Sequence, residues 1–436
     1  MLAWLLTESP RLPAAKGTPM NRIALPLGLA ALLVSSSASA VRVPTGTDDI
    51  NLNVNAFLQA RYEGTFEGSV ERSFDSDFFL RRARIQVSGT AYKTLSFLIQ
   101  TDNSQMGKRG SPTSVGGATN PAFVQDLVIG WTPIEDFTVE MGLLLTPTSR
   151  ILGYSASGGQ VQIEAPIDII FQNLDRGFRE NGIEVRGFLF ARRIHYRAGV
   201  FEGFHSTAAV PAVPANPATA TPAVVGTPAI NPGGKPMIGA HVRLNLIGDE
   251  TGYAFNAMYM DGKPRASIGG SVQYQPRAGC AQAATLCSFS TGSGATGSVN
   301  DYKFYGGDAF IDWPLPGDME FSADGGIFRW DYGDAFTRTG TGFAGSLNFR
   351  VGVIGAFLSG YKFGSDSGNL HTSDRRKYAG GLAWFIKGQA DKITVEVNNI
   401  TPGAPGNPAA IAPVADARGI AGPSTTAIWL QGQAAF

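Results

Sequence analysis

Six arginines stand in runs where apolar and polar residues alternate: Arg61, Arg82, Arg84, Arg186, Arg197 and Arg243. An extended strand sends every second side chain to one face, so each arginine falls on the polar side of its run. Guanidinium groups arrayed along one face have two uses. They guide anions, or they pair with carboxylates and brace a wall. Asp102, Asp126, Glu140, Glu184, Glu320 and Asp324 share that phase, so both uses stay open. Arg82 and Arg84, two residues apart, are the sharpest candidates for an anion path. A second charged set, Arg150, Glu164, Asp168, Asp175, Arg176 and Arg179, falls in the segment Pro147–Glu180 beside apolar Ile163, Ile167, Ile169, Ile170 and Phe171.

Other reactive residue types are sparse. The four histidines, His195, His205, His241 and His371, are scattered and have no nucleophile motif beside them, so the sequence predicts no enzyme. Cys280 and Cys287 lie in a Gly/Ala/Ser-rich stretch with no histidine nearby. A local disulfide suits them in an exported chain, and neither a metal site nor a cofactor is expected. Lys+Arg and Asp+Glu are equal at 35 each, which argues against a nucleic-acid partner.

The elements that position these residues follow from one repeated pattern. Leu52, Val54, Ala56, Leu58, Ala60 and Tyr62 alternate with Asn51, Asn53, Asn55, Gln59, Arg61 and Glu63. Ala83, Ile85 and Val87 alternate with Arg82, Arg84 and Gln86; Ile238, Ala240, Val242, Leu244 and Leu246 alternate with Gly239, His241, Arg243 and Asn245. Segments of about ten residues with this dyad are what tilted membrane-spanning strands require. Long connections alternate with short ones. The long ones are Phe66–Asp77, Asn103–Pro121, Pro147–Glu180, Gly203–Pro236, Pro276–Asp301, Gly333–Gly340, Gly364–Arg375 and Thr401–Thr425. Eight long loops and seven short turns predict 16 strands in one all-β antiparallel barrel. Gly252–Asp261 is ambiguous: as a separate strand it makes the count odd, so it is folded into its neighbours. Ser206–Pro236 is too rich in proline to pair as a strand.

Met20–Ala40 has a basic start at Arg22, an apolar run Ile23–Val34 and the small residues Ala38-Ser39-Ala40. That is the pattern of a secretory signal peptide, and the run is shorter than the roughly 20 residues a spanning helix needs. Residues 1–40 are therefore expected to be an upstream extension plus a cleaved signal, and residues 41–436 the barrel. Tyr92, Trp131, Phe137, Trp313 and Trp384 near short turns, and Phe66, Phe74, Phe78 and Phe79 near a long loop, suit the two interfacial aromatic girdles. The last strand alternates Thr426, Ile428, Leu430, Gly432 and Ala434 up to a terminal Phe436, a pattern that resembles the signal read by outer-membrane assembly machinery.

The segments Phe78–Asp102, Met141–Arg150, Asp175–Gly187 and Tyr196–Gly203 resemble the phosphate-selective porin O/P family. The resemblance runs over most of residues 50–436. It implies a trimeric 16-stranded porin of the bacterial outer membrane, with its third long loop, Pro147–Glu180, folded inward as a constriction. A polar lining and an open lumen then predict passive diffusion of small solutes and ions, general or weakly anion-preferring. The other reading is a structural or adhesive barrel that uses its outer loops.

Overall fold

The computed structural model describes residues 41–47, 49–67, 73–108, 122–153, 158–164, 179–204, 234–250, 253–280, 299–332, 339–366, 375–402 and 425–436. These form β1 (Val41–Val43), β2 (Ile50–Glu67), β3 (Ser73–Ala91), β4 (Leu95–Asp102), β5 (Phe123–Ile134), β6 (Phe137–Leu145), β7 (Arg179–Leu189), β8 (Ile194–Phe201) and β9 (Met237–Ile247). The chain continues through β10 (Arg265–Cys280), β11 (Val299–Leu315), β12 (Met319–Asp331), β13 (Gly340–Val351), β14 (Ile354–Ser365), β15 (Arg375–Lys387), β16 (Asp391–Pro402) and β17 (Thr425–Ala435).

Each strand from β2 to β17 pairs antiparallel with the next, and β17 returns to β2 in register from Thr426↔Phe66 to Ala435↔Phe57. The result is a closed 16-stranded antiparallel barrel, which leaves no backbone edge to face lipid. The seam is finished by Phe436 and by β1. Phe436 and Ala56 exchange two backbone hydrogen bonds of 2.8 and 3.0 Å, and β1 then pairs with β2 just beyond, at Val41↔Val54.

Strand β9 shows how the dyad becomes a wall. Ile238, Val242, Leu244 and Leu246 stand outward and exposed, while His241, Arg243 and Asn245 face inward and are buried. The same inversion of a soluble protein's pattern recurs at Ile129, Met141, Ile183, Phe343, Leu358 and Leu382, all exposed. Only a lipid solvent makes such a belt stable. No helix among the described residues is long and apolar enough to cross a membrane; the strands cross it. Tyr92, Trp131, Trp313 and Trp384 are exposed at the short-turn end, as girdle residues would be. Phe74 and Phe78 are exposed at the long-loop end, but Phe79 is buried and faces inward, which corrects its place in the girdle.

The ambiguous segment is also corrected. Residues 248–264 join β9 to β10, and Tyr253–Asp261 neither form a strand nor extend the flanking ones. They fold into the barrel, where Phe255, Ala257 and Met258 are each 1% exposed. Residues 1–40 and the proline-rich stretch 206–233 lie outside the described residues, as does Cys287; Cys280 ends β10.

Candidate functional site: the filled lumen

All six arginines picked out by spacing point into the barrel, and each meets an acid. Arg61 reaches Glu164 at 2.5 Å and Glu63 at 3.2 Å; Arg84 pairs with Asp102 at 3.0 Å. Arg82 pairs with Glu164 at 2.9 Å, Arg186 with Glu140 at 2.7 Å, Arg197 with Glu184 at 2.6 Å and Arg243 with Glu250 at 3.3 Å. The remaining inward carboxylates are met as well: Asp126 by Arg179 at 2.9 Å, Glu320 by Arg350 at 3.2 Å and Asp324 by Arg150 at 3.5 Å. Of the two uses for the wall arginines, this geometry is that of bracing.

One arginine had no sequence signal. Arg81 reaches Glu164 at 2.5 Å although Arg82, its neighbour, also points inward. The register between β2 and β3 shifts here: Gln59 faces Arg82, Ala60 faces Leu80, and Arg81 is the extra residue of a β-bulge. A bulge re-aims a side chain that alternation would send outward. Three guanidinium groups thus converge on Glu164.

Glu164 belongs to the third long loop, whose parts described ahead of β7, residues 147–153 and 158–164, lie inside the barrel. Its anchors run round the wall. Gln273 donates to the Pro147 carbonyl at 3.0 Å, and the Arg150 N–H donates to Asp308 at 3.1 Å. The Lys392 ammonium and Gln433 donate to the Gly158 carbonyl at 3.2 and 3.0 Å, and the Ile163 N–H donates to Glu396 at 3.0 Å. Ile163 packs on Ile400, Ala427 and Trp429, so its side chain is covered as the sequence required. Ile151 and Leu152 join Phe201, Tyr302, Phe304, Phe328, Trp330 and Phe363 in an inward-facing apolar cluster. The simple rule of apolar out and polar in fails at that patch, because a loop that enters the lumen must bury its apolar side chains against something. Asp168, Asp175 and Arg176 lie outside the described residues; Arg179 opens β7 and belongs to the wall, a correction to its place in the loop.

The connector 248–264 enters from the opposite, short-turn end. Tyr253 accepts the Leu145 N–H at 2.8 Å and lies beside Arg197, whose guanidinium carbon is 5.0 Å from the ring centre. Tyr259 donates to Glu250 at 2.8 Å, while its N–H and that of Met260 donate to Asp312 at 3.0 Å and Glu320 at 2.9 Å. The two inward segments meet each other. The Ala257 N–H donates to Gly159 O at 2.9 Å, Arg150 of the loop pairs with Glu250 of the connector at 2.7 Å, and Arg150 also donates to the Asn256 carbonyl. Val161 packs on Ala257 and Met258. Glu250 was not singled out in the sequence, and the segment Gly252–Asp261 was flagged as ambiguous there without its inward course being foreseen.

Electrostatics hold both latches. Burial pushes the Glu164 carboxyl up, but Arg81, Arg82 and Arg61 outweigh it and hold it well below the usual carboxylate range. Burial likewise opposes ionisation of Glu250, and Arg150 with Arg243 outweighs it and lowers its pKa. Arg61, Arg150, Arg197 and Arg243 are at most 1% exposed. Arg84 and Arg186 keep 11% and 22% of their side-chain surface exposed. Among the described residues no group of three or more His, Cys, Asp or Glu is placed to hold a metal.

Comparison with known structures follows this geometry. OprB of Pseudomonas putida, in its high-pH structure, is 8% identical, with a TM-score of 0.53, 88% of this chain covered and 94% of that one. The outer membrane channel DcaP of Acinetobacter baumannii is 10% identical, with a TM-score of 0.51 and coverages of 91% and 100%. A loop L8 deletion mutant of OmpT, an outer membrane protein of Vibrio cholerae, is 10% identical, with a TM-score of 0.49 and coverages of 89% and 100%. No protein-family profile and no curated protein sequence matches the chain, so the narrower likeness to the phosphate-selective porin O/P family finds no support there. The fold is that of outer-membrane barrels.

The exclusion of an enzyme is withdrawn as a correction. The barrel is shared with outer-membrane proteins as differently named as OprB and DcaP, and a shared fold does not decide function. Of the four histidines, His195 and His241 do come together, with ring centres 6.4 Å apart, and His241 is 3.8 Å from Asp308.

Proposed function

We propose that the chain is an outer-membrane porin for passive diffusion of small solutes and ions, with a passage controlled by the third loop and the connector. The observation that carries this reading is the closed barrel whose interior is filled by two loop segments and not by wall side chains alone. Sixteen strands enclose more space than side chains can fill. Every inward arginine of the six faces a carboxylate, so any anion or phosphate preference is weak. Asp168, Asp175 and Arg176 complete the proposed constriction. In the same reading residues 1–40 are removed on export, Cys280 and Cys287 form a disulfide, Phe436 is read by the assembly machinery, and three copies assemble in the lipid.

Purified protein in a planar bilayer tests the proposal: it should give discrete current steps, with a reversal potential nearly unchanged when phosphate replaces chloride. Absence of steps over a wide voltage range would reject it. The packed lumen favours one second reading, a structural or adhesive barrel presenting its outer loops, and that reading predicts a silent bilayer.

A further inference from the structure

The connector places a carboxylate and an aromatic ring side by side on the arginines of the wall. The Glu250 carboxylate takes Arg150 Nη2 at 2.7 Å and Nε at 3.1 Å, the Tyr259 hydroxyl at 2.8 Å and Ser267 Oγ at 3.2 Å. Phe255 lies against Arg243, with the guanidinium carbon 3.9 Å from the ring centre, and meets the His195 ring edge-on at 5.9 Å. A cation against an aromatic face is attracted by the ring's quadrupole, and more strongly where water is excluded.

Arg243 is not well served by this arrangement. It is fully buried, yet none of its three guanidinium nitrogens makes a hydrogen bond. Its contact with Glu250 is one nitrogen to one oxygen at 3.3 Å. His195 Nδ1, beside it, is also buried without a hydrogen bond. A buried guanidinium in this state has a high affinity for a carboxylate that can approach its fork with two parallel bonds. Glu250 is held by Arg150, Tyr259 and Ser267 and does not reach that position.

We propose that the buried cluster of Arg243, His195, Ser267 and Arg150, covered here by the connector, is a binding site for small aromatic carboxylates. The connector is a partial internal mimic of that ligand, with Phe255 in the place of its ring and Glu250 beside, but not in, the place of its carboxylate. The proposal rests on the porin reading and names a solute class for it. A free aryl acid gains the forked bond to Arg243 that the tethered group lacks. It competes with a tethered group of high effective concentration, so binding to the intact protein is weak. Ring and charge are both recognised; acetate supplies no ring, and phosphate supplies no apolar face.

Calorimetric titration of benzoate into detergent-folded protein tests the site without requiring conduction. Phe255→Ala removes the mimic's ring and leaves the Arg150–Glu250 pair in place, so benzoate should bind about tenfold tighter than to the unaltered protein. Arg243→Gln should abolish binding, with heat-modifiable gel migration showing that the barrel has formed. Acetate and phosphate should bind far more weakly than benzoate. Equal benzoate affinity in the unaltered and Phe255→Ala proteins overturns the proposal; that arm stands even if Arg243→Gln fails to fold. So does phosphate or acetate binding as tightly as benzoate. A protein that conducts but does not bind benzoate loses this site alone, and one that binds benzoate in a silent bilayer loses the porin reading alone.

Discussion

The Ala257 N–H donates to the Gly159 carbonyl at 2.9 Å, and this bond joins two segments that enter the barrel from opposite ends. Gly159 is required there. A Cβ at that position would strike the Asn256 side chain and lie 3.0 Å from its Cα. The third loop and the connector therefore form one filling, with Arg150–Glu250 beside the junction.

Gly159→Val should part the two segments while leaving the wall intact. Exchange of the Ala257 amide with deuterium, followed by mass spectrometry on the folded protein, should quicken by about a hundredfold, as for a bond moved from the protected to the locally open class. Unchanged exchange would mean that the contact is incidental.

Glu164 faces Arg61, Arg81 and Arg82 at 2.5, 2.5 and 2.9 Å, and of the three Arg61 also has Glu63 at 3.2 Å. Glu164→Gln leaves three buried guanidinium groups short of a counter-charge, and breaking a buried pair in this way costs roughly 3–5 kcal/mol. Thermal unfolding should shift down clearly, and proteolysis within Pro147–Glu180 should become easier.

The same residue sets a pH dependence. Its folded pKa is depressed, so its contribution is complete above the ordinary carboxylate value and is lost as pH falls through the lower folded value. The loop should stay latched through neutral and mildly acid pH and release only in strong acid. A conductance series against pH should show that late change in the unaltered protein and lack it in Glu164→Gln.

The outer belt gives a prediction independent of the lumen. Leu382 is 59% exposed on β15, between its partners Ala356 and Val395. Leu382→Arg places a charge in lipid, which costs about 2–4 kcal/mol near the bilayer midplane. Reversible urea unfolding from lipid vesicles should report a loss of that size; a change within measurement error would argue that this face is wet or covered.

Phe436 closes the seam through its two backbone bonds to Ala56. Deleting it should lower the yield of heat-modifiable barrel in the membrane fraction severalfold more than it lowers the stability of barrel that has formed. An effect on stability alone would confine Phe436 to a structural role.

These particulars show where sequence is informative. In β9 the lipid-facing Val242 and lumen-facing Arg243 were legible, because a strand between two unlike solvents must alternate. The barrel and the inward phase of the six arginines follow from that requirement. Arg81 was not legible, since a bulge depends on how two strands register and not on either strand alone. Tyr253, Phe255, Ala257 and Tyr259 mimic strand alternation, yet the segment lies inside the barrel, where both of its sides find partners. Phe304 and Trp330 break the lumen's polar rule because they receive the apolar side of an entering loop. Periodicity records which solvent a strand meets; it does not record which distant segment comes to fill the space.

The most direct measurement compares single-channel currents of the unaltered protein and of a protein with residues 253–261 replaced by a short glycine linker. Both should give discrete steps in a planar bilayer, and the shortened protein should give the larger ones. Silence from both, with the barrel shown to be inserted, would contradict the account.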